Sequence, residues 1–168
     1  YMLDMESAEN DTFLNIDQFS NPFDYNMILS ETGELKNMKV DLIETFNYLV
    51  GLEISKNMSK ENITVGFEKN KLGKLTCIPG DEIQYTVKII TGKIPNNKSA
   101  IIIWRTLTDD LIKDNAFIEE YLKTKDVDTT IYENVFINGD SGIVSTDYSK
   151  VHVLEQVMKD RMFETEGL

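Results

Sequence analysis

The chain is poor in the residues from which redox and metal sites are most often built. It carries one cysteine, Cys77, and one histidine, His152, among 168 residues. A lone cysteine excludes an internal disulfide, and this pair is too few for a cysteine-cluster zinc site. Proline is scarce as well: Pro22, Pro79 and Pro95 are the only three, and no two are adjacent. The longest apolar run, Ala100-Ile101-Ile102-Ile103-Trp104, falls far short of the roughly 20 residues that a membrane-spanning helix requires. Positive charge is the last deficit. The 17 Lys and Arg stand against 29 Asp and Glu, leaving a net charge of −12. Binding to a nucleic acid backbone draws on clustered cations that displace counterions, so this balance places any principal DNA-phosphate surface elsewhere.

With paired cysteines and a signal peptide both lacking, an intracellular, cytoplasmic setting without membrane contact is expected. The sequons Asn57-Met58-Ser59 and Asn62-Ile63-Thr64 then read as chance. Tyr1 falls in mid-pattern rather than after a start signal, which predicts that a preceding part is missing.

A content of 41% hydrophobic and 27% charged residues suits a folded, globular chain rather than a disordered one. The pattern predicts one α/β domain over residues 1–168, with a mixed central sheet flanked by helices. Residues 1–52 form a helical and extended lead-in, residues 63–140 a sheet-rich core, and residues 151–163 a terminal helix.

The clearest helix lies over residues 40–51. Leu42, Ile43, Phe46, Leu49 and Val50 fall on one face, with Asp41, Glu44, Thr45 and Tyr48 on the other. Gly51 stands where a helix would stop in the left-handed conformation. Before it, residues 1–6 suit an extended segment, Asp11 a cap for a short helix with Phe13, Leu14 and Ile16, residues 26–29 a strand, and residues 31–37 a polar connection turning at Gly33. After it, residues 53–62 read as a polar link.

Ile63, Val65 and Phe67 alternate with polar neighbours, residues 69–74 make a hairpin turn and residues 75–78 return. Ile83, Tyr85, Val87 and Ile89 alternate in a further strand, and residues 91–98 read as a loop. Residues 100–104 are apolar on both faces, as a central strand covered by helices on both sides would be. Phe117, Ile118, Tyr121 and Leu122 mark a second helix, with Asp114 or Asn115 as its cap. Residues 130–138 are strand-like, with Ile131, Val135 and Ile137 on one face and Tyr132 and Phe136 on the other. The strand-helix-strand order suits a parallel crossover. Leu154, Val157, Met158 and Met162 mark the terminal helix.

Several groups could carry chemistry, and each has a plainer explanation. His152, near Asp147 and Glu155, reads more simply as a surface or capping residue than as an acid-base group. Cys77 reads as a small buried hydrophobe. Gly139-Asp140-Ser141-Gly142 follows a strand but lacks the Lys-Ser/Thr pair of a phosphate loop. Its position still makes Asn138 and Asp140 crevice candidates. Trp104 and Arg105 end the central strand, where an arginine could reach a phosphate or carboxylate. The plainer reading pairs Arg105 with Asp109, Asp110 or Glu133. Asp41, Glu44 and Asn47 offer no calcium-loop spacing.

The string Val40-Asp41-Leu42-Ile43-Glu44-Thr45-Phe46-Asn47-Tyr48-Leu49-Val50-Gly51-Leu52 resembles the VDLxETFNYLxGL string in the C-terminal region of adenine-specific DNA methyltransferases related to type III modification subunits. Tyr1-Met2-Leu3-Asp4-Met5-Glu6-Ser7, Asn21-Pro22-Phe23-Asp24-Tyr25, Ile102-Ile103-Trp104-Arg105, Tyr132 to Asp140 and Met162-Phe163-Glu164 are similar to further segments of that region, in order. The resemblance implies a parent protein that uses S-adenosylmethionine and contacts DNA, with this chain docked on the upstream methyltransferase domain, on a second copy or on a restriction subunit. The family's Asp-Pro-Pro-Tyr motif and Phe-x-Gly-x-Gly loop do not occur here, so no catalytic or cofactor-binding residue carries over. The chain is expected to be inactive alone and to hold no cofactor or metal.

Asp41, Glu44 and Tyr48 then become contact-face candidates. A second reading, from the residues alone, is a nucleotide- or phosphate-binding α/β domain using Arg105, Asn138 and Asp140. A third is an acidic DNA-mimicking protein, motivated by the carboxylates of residues 109–128.

Overall fold

A computed structural model describes residues 11–13, 19–31, 34–140 and 147–166 of the chain. Their architecture is α/β. Strands β1 (Asp11–Phe13), β2 (Tyr25–Glu31) and β3 (Glu34–Val40) make a three-stranded antiparallel sheet. Helix α1 (Leu42–Val50) follows. A second, seven-stranded sheet is built from β4 (Glu53–Asn57), β5 (Glu61–Lys69), β6 (Leu75–Pro79), β7 (Ile83–Ile94), β8 (Lys98–Arg105), β9 (Asn134–Ile137) and β10 (Val151–Val153). Its order is β10-β9-β8-β7-β5-β6, with β4 also paired to β7. The pairs β8/β9 and β9/β10 are parallel and the others antiparallel, so the sheet is mixed. Helices α2 (Leu111–Thr124) and α3 (Leu154–Glu166) complete the fold. No helix among the described residues is long and apolar enough to cross a membrane.

Strand β8 sits at the centre, as its two-faced apolar run requires. Ala100, Ile102 and Trp104 enter a core with Leu42, Phe46 and Val50 of α1 and Leu154 and Met158 of α3. Ile101 and Ile103 enter a second core with Phe117, Ile118, Tyr121 and Leu122 of α2. The period of two along a strand distributes these side chains to opposite faces. On the first face the ring of Phe46 stands edge-on to Trp104, centroids 5.8 Å apart, and to Phe136, 5.4 Å apart.

Helix α1 starts where Asp41 accepts a hydrogen bond from the Glu44 N–H at 3.0 Å and ends at Gly51, whose φ of 68° is left-handed. Both are the expected stop and start chemistry. Thr45, however, is buried rather than on the polar face, because its hydroxyl turns back onto the Asp41 carbonyl at 2.8 Å.

Several sequence expectations are corrected. Residues 53–62 are not simply a link: they contain β4, every residue of which is exposed, so the strand arises from backbone pairing to β7 and leaves no apolar pattern. Residues 34–37 belong to β3, paired back to β2 from Glu34 opposite Glu31. Phe13 lies in β1, not a helix. The expected loop over residues 91–98 contracts to a tight turn, because Asn96 and Asn97 take φ of 71° and 60°, which asparagine tolerates well. Asp110 caps α2, its carboxylate accepting from the Lys113 N–H at 3.2 Å, so Asp114 and Asn115 lie inside the helix. Residues 129–131 form a 3-10 turn, and Ile131 is 69% exposed instead of sharing the face of Val135 and Ile137. His152 is in β10, before α3 rather than at its start. Residues 1–10, Leu14, Ile16, Gly33, Ser141 and Gly142 lie outside the described residues.

Phe46 joins α1 to the sheet through two aromatic contacts while fully buried. Phe46→Ala is expected to destabilise the fold by about 3–5 kcal/mol in chemical denaturation.

Candidate functional site

The carboxyl ends of parallel strands are where an α/β sheet gathers ligands, and here β8 and β9 end on a cluster of buried polar groups. Arg105 closes β8 and Asn138 follows β9, and both are 0% exposed. Each residue's side chain holds the other's backbone. The Asn138 carboxamide accepts from the Arg105 N–H at 3.0 Å and donates to the Arg105 carbonyl at 2.7 Å. In return the Arg105 Nε donates to the Asn138 carbonyl at 3.0 Å. The amide side chain thus stands in for strand backbone where β9 has ended. Its nitrogen also donates to the Phe19 carbonyl at 3.1 Å, fastening a segment that is 119 residues away in sequence.

The guanidinium continues to α2. Its Nη1 donates to the Asp114 carbonyl at 3.1 Å and to Asn115 Oδ1 at 2.9 Å. Its Nη2 has no acceptor among the described residues. Burial lowers the Arg105 pKa to about 10, and the carboxylates of Asp114 and Glu155 act in the opposite direction. The group therefore remains a cation at neutral pH. A buried charge without such partners would cost several kcal/mol.

Each counter-charge is fixed by its own donors. The Asp114 carboxylate, wholly buried, accepts from the Tyr85 hydroxyl at 2.7 Å, the Thr108 hydroxyl at 2.7 Å and the Thr108 N–H at 2.9 Å. Glu155, in the first turn of α3, accepts from the Gly139 N–H with both oxygens, at 3.1 and 3.0 Å. Desolvation raises the Glu155 pKa, against the pull of that N–H and of Arg105. Gly139 has φ of 78°, and a Cβ there would stand 2.8 Å from a Leu107 methyl and 3.3 Å from Arg105 Nη2, so glycine is needed for conformation and space.

The sequence candidates divide into two groups. Arg105, Asn138 and Trp104 are buried in the molecule. Arg105 does not hydrogen-bond Asp109, Asp110 or Glu133, whose side chains have other partners or face solvent. Trp104 packs on Phe46, and its indole N–H has no acceptor among the described residues. Asp140 is exposed: its carbonyl accepts from Asn115 Nδ2 at 3.2 Å and its carboxylate lies 3.4 Å from the Tyr148 hydroxyl. Asp41, Glu44 and Tyr48 lie apart from the cluster on α1, exposed, with Tyr48 at 57%.

Asp114 and Glu155 are the members of the cluster that sequence reasoning assigned elsewhere. Asp114 precedes Phe117 and Ile118 by three and four residues, so helical spacing already places a carboxylate on the apolar face. No comparable signal marks Glu155.

His152 stacks on Phe136 with centroids 5.2 Å apart, and its Nε2 lies 3.2 Å from Asn134 Oδ1. Burial lowers its pKa. Cys77 is partly buried, with its thiol pushed up to about 11 by desolvation, so it is a poor nucleophile. The cavity beside the start of α1 and the cavity between β5, β6 and α2 are not lined by the Arg105 cluster. No group of three or more His, Cys, Asp or Glu side chains among the described residues is placed to hold a metal ion. The chain matches no family model, curated protein or solved structure.

Asn138→Ala removes three buried hydrogen bonds at once. A loss of about 2–4 kcal/mol is expected, with hydrogen exchange at residues 19–21 accelerated more than in β5 or β6. Because His152 is more acidic in the folded chain than unfolded, the unfolded state takes up the proton first as pH falls. Stability is therefore complete above the ordinary histidine pKa and declines as pH drops through it. Denaturation midpoints at pH 7 and pH 5 should differ less in His152→Gln than in the native chain.

Proposed function

We propose that this chain is a non-catalytic C-terminal domain of a site-specific N6-adenine DNA methyltransferase of a restriction-modification system, serving interdomain or subunit contact. The observation that carries the reading is the convergence of the segments bearing the resemblance. The VDLIETFNYLVGL segment supplies α1, the IIWR segment supplies the end of β8, and the YENVFINGD segment supplies β9 and its exit. Trp104 meets Phe46 in one core, and the neighbouring Arg105 clasps Asn138 at the strand ends. These segments, far apart in sequence, thus pack into one unit, which supports treating them as parts of one domain.

The parent protein would bring S-adenosylmethionine and DNA to its upstream domain, while this acidic chain contributes contact surface. The exposed α1 face with Asp41, Glu44 and Tyr48 suits that role, since an aromatic with a polar rim is common at protein interfaces. The coding sequence upstream of Tyr1 tests the assignment. An Asp-Pro-Pro-Tyr motif and a Phe-x-Gly-x-Gly loop in the same reading frame are expected, and a frame without them contradicts the reading. Methyl transfer to DNA by the 168-residue chain alone would contradict its non-catalytic part.

A further inference from the structure

A cavity of about 480 Å³ lies between Phe23, the start of α1 and two lysines, Lys60 and Lys88. Its volume is in the range that small-molecule sites occupy. One wall is apolar, formed by Pro22, Phe23, Leu42 and Ile43. Lys60 and Lys88 complete the lining. In a chain with 29 acidic and 17 basic residues, two lysines lining one cavity with no ion pair to a carboxylate among the described residues call for an explanation. The ion pairs among the described residues engage Lys74, Lys113 and Lys125 instead.

Both lysines are already positioned. Lys88 Nζ donates to the Met58 carbonyl at 2.8 Å, which uses one of its three protons and leaves two for a ligand. Lys60 Nζ stands 5.6 Å from the centroid of the Phe23 ring. Asp41 also lines the cavity, and one oxygen of its carboxylate accepts from the Glu44 N–H at the helix cap. That bond caps one N–H of the first turn, and the attraction for an anion comes from the two lysines.

We propose that this cavity binds a small organic anion, a phosphate or carboxylate on an apolar body, with the charge between Lys60 and Lys88 and the body against Phe23 and Ile43. An inorganic anion would leave the apolar wall unused, and a neutral apolar molecule would leave two ammoniums without a counter-charge. The inference does not depend on the methyltransferase reading, because the cavity and its lysines are independent of any parent activity.

Phenyl phosphate is the probe, followed by amide chemical shifts and titration calorimetry on the full chain, with inorganic phosphate, phenol and a short DNA duplex in parallel. Phenyl phosphate is expected to bind and to shift the amides of Ile43, Lys60 and Lys88, with inorganic phosphate and phenol each about tenfold weaker or more. Lys60→Met and Lys88→Met should each weaken phenyl phosphate about tenfold, the loss of one charge-assisted contact. Lys60 is exposed, so its variant retains the fold and keeps the test valid if Lys88→Met unfolds. Absence of saturable phenyl phosphate binding at millimolar concentration overturns the proposal. So does binding that both variants leave unchanged, inorganic phosphate binding as tightly as the ester, or a duplex binding through the same lysines more tightly than phenyl phosphate.

Discussion

A cation buried at the end of the central strand is the constraint on which the rest of this structure depends. Arg105 cannot be solvated, and a guanidinium in that position demands acceptors and counter-charge from every side. Acceptors for Nε and Nη1 and counter-charge come from three parts of the chain, and a fourth is tied to them. Asn138 closes the gap left where β9 ends, Asp114 and Asn115 approach from α2, Glu155 approaches from α3 through Gly139, and Phe19 is bound to Asn138 in turn. The apolar cores on the two faces supply most of the favourable burial, but they specify orientation loosely. The polar cluster fixes where the helices begin relative to the strand ends.

This arrangement has a consequence for function. Strand ends in an α/β sheet are the usual place for a ligand, yet here the position is filled by the protein's own side chains. Arg105 and Asn138 are both fully buried and bonded to each other, and a phosphate there would have to compete with Asp114, Asn115 and the backbone. The surface features suited to recognition lie elsewhere. The outer face of α1 presents an exposed tyrosine, and the cavity beside its first turn presents two cations over an apolar wall.

Much of this was legible in the sequence where burial leaves a period. The run from Ala100 to Trp104 declared a strand covered on both sides, and the stripe from Phe117 to Leu122 declared the helix that covers it. Asp41 and Gly51 bracketed α1 because capping chemistry is local. Strand β4 was hidden because its residues are all exposed and its existence rests on backbone pairing to a partner more than thirty residues on. Local sequence does not single out Asp110 as the cap over Asp114 or Asn115, since three carboxylates in six residues offer capping chemistry more than one solution. The strand-end position of Arg105, Asn138 and Asp140 is legible in the sequence, but the partners of Arg105 are not. Asp114 and Glu155 reach it through tertiary folding, which no local pattern encodes.

The central claim is that the buried cluster holds the carboxyl end of the sheet as firmly as the apolar cores hold its middle. Native-state hydrogen exchange at two amides measures this directly, because the Arg105 N–H is bound by Asn138 and the Gly139 N–H by Glu155. Both are predicted to exchange only through global unfolding, with the same opening free energy as the amides of β8. Exchange of either amide by local opening, at a free energy well below that of β8, would contradict the account.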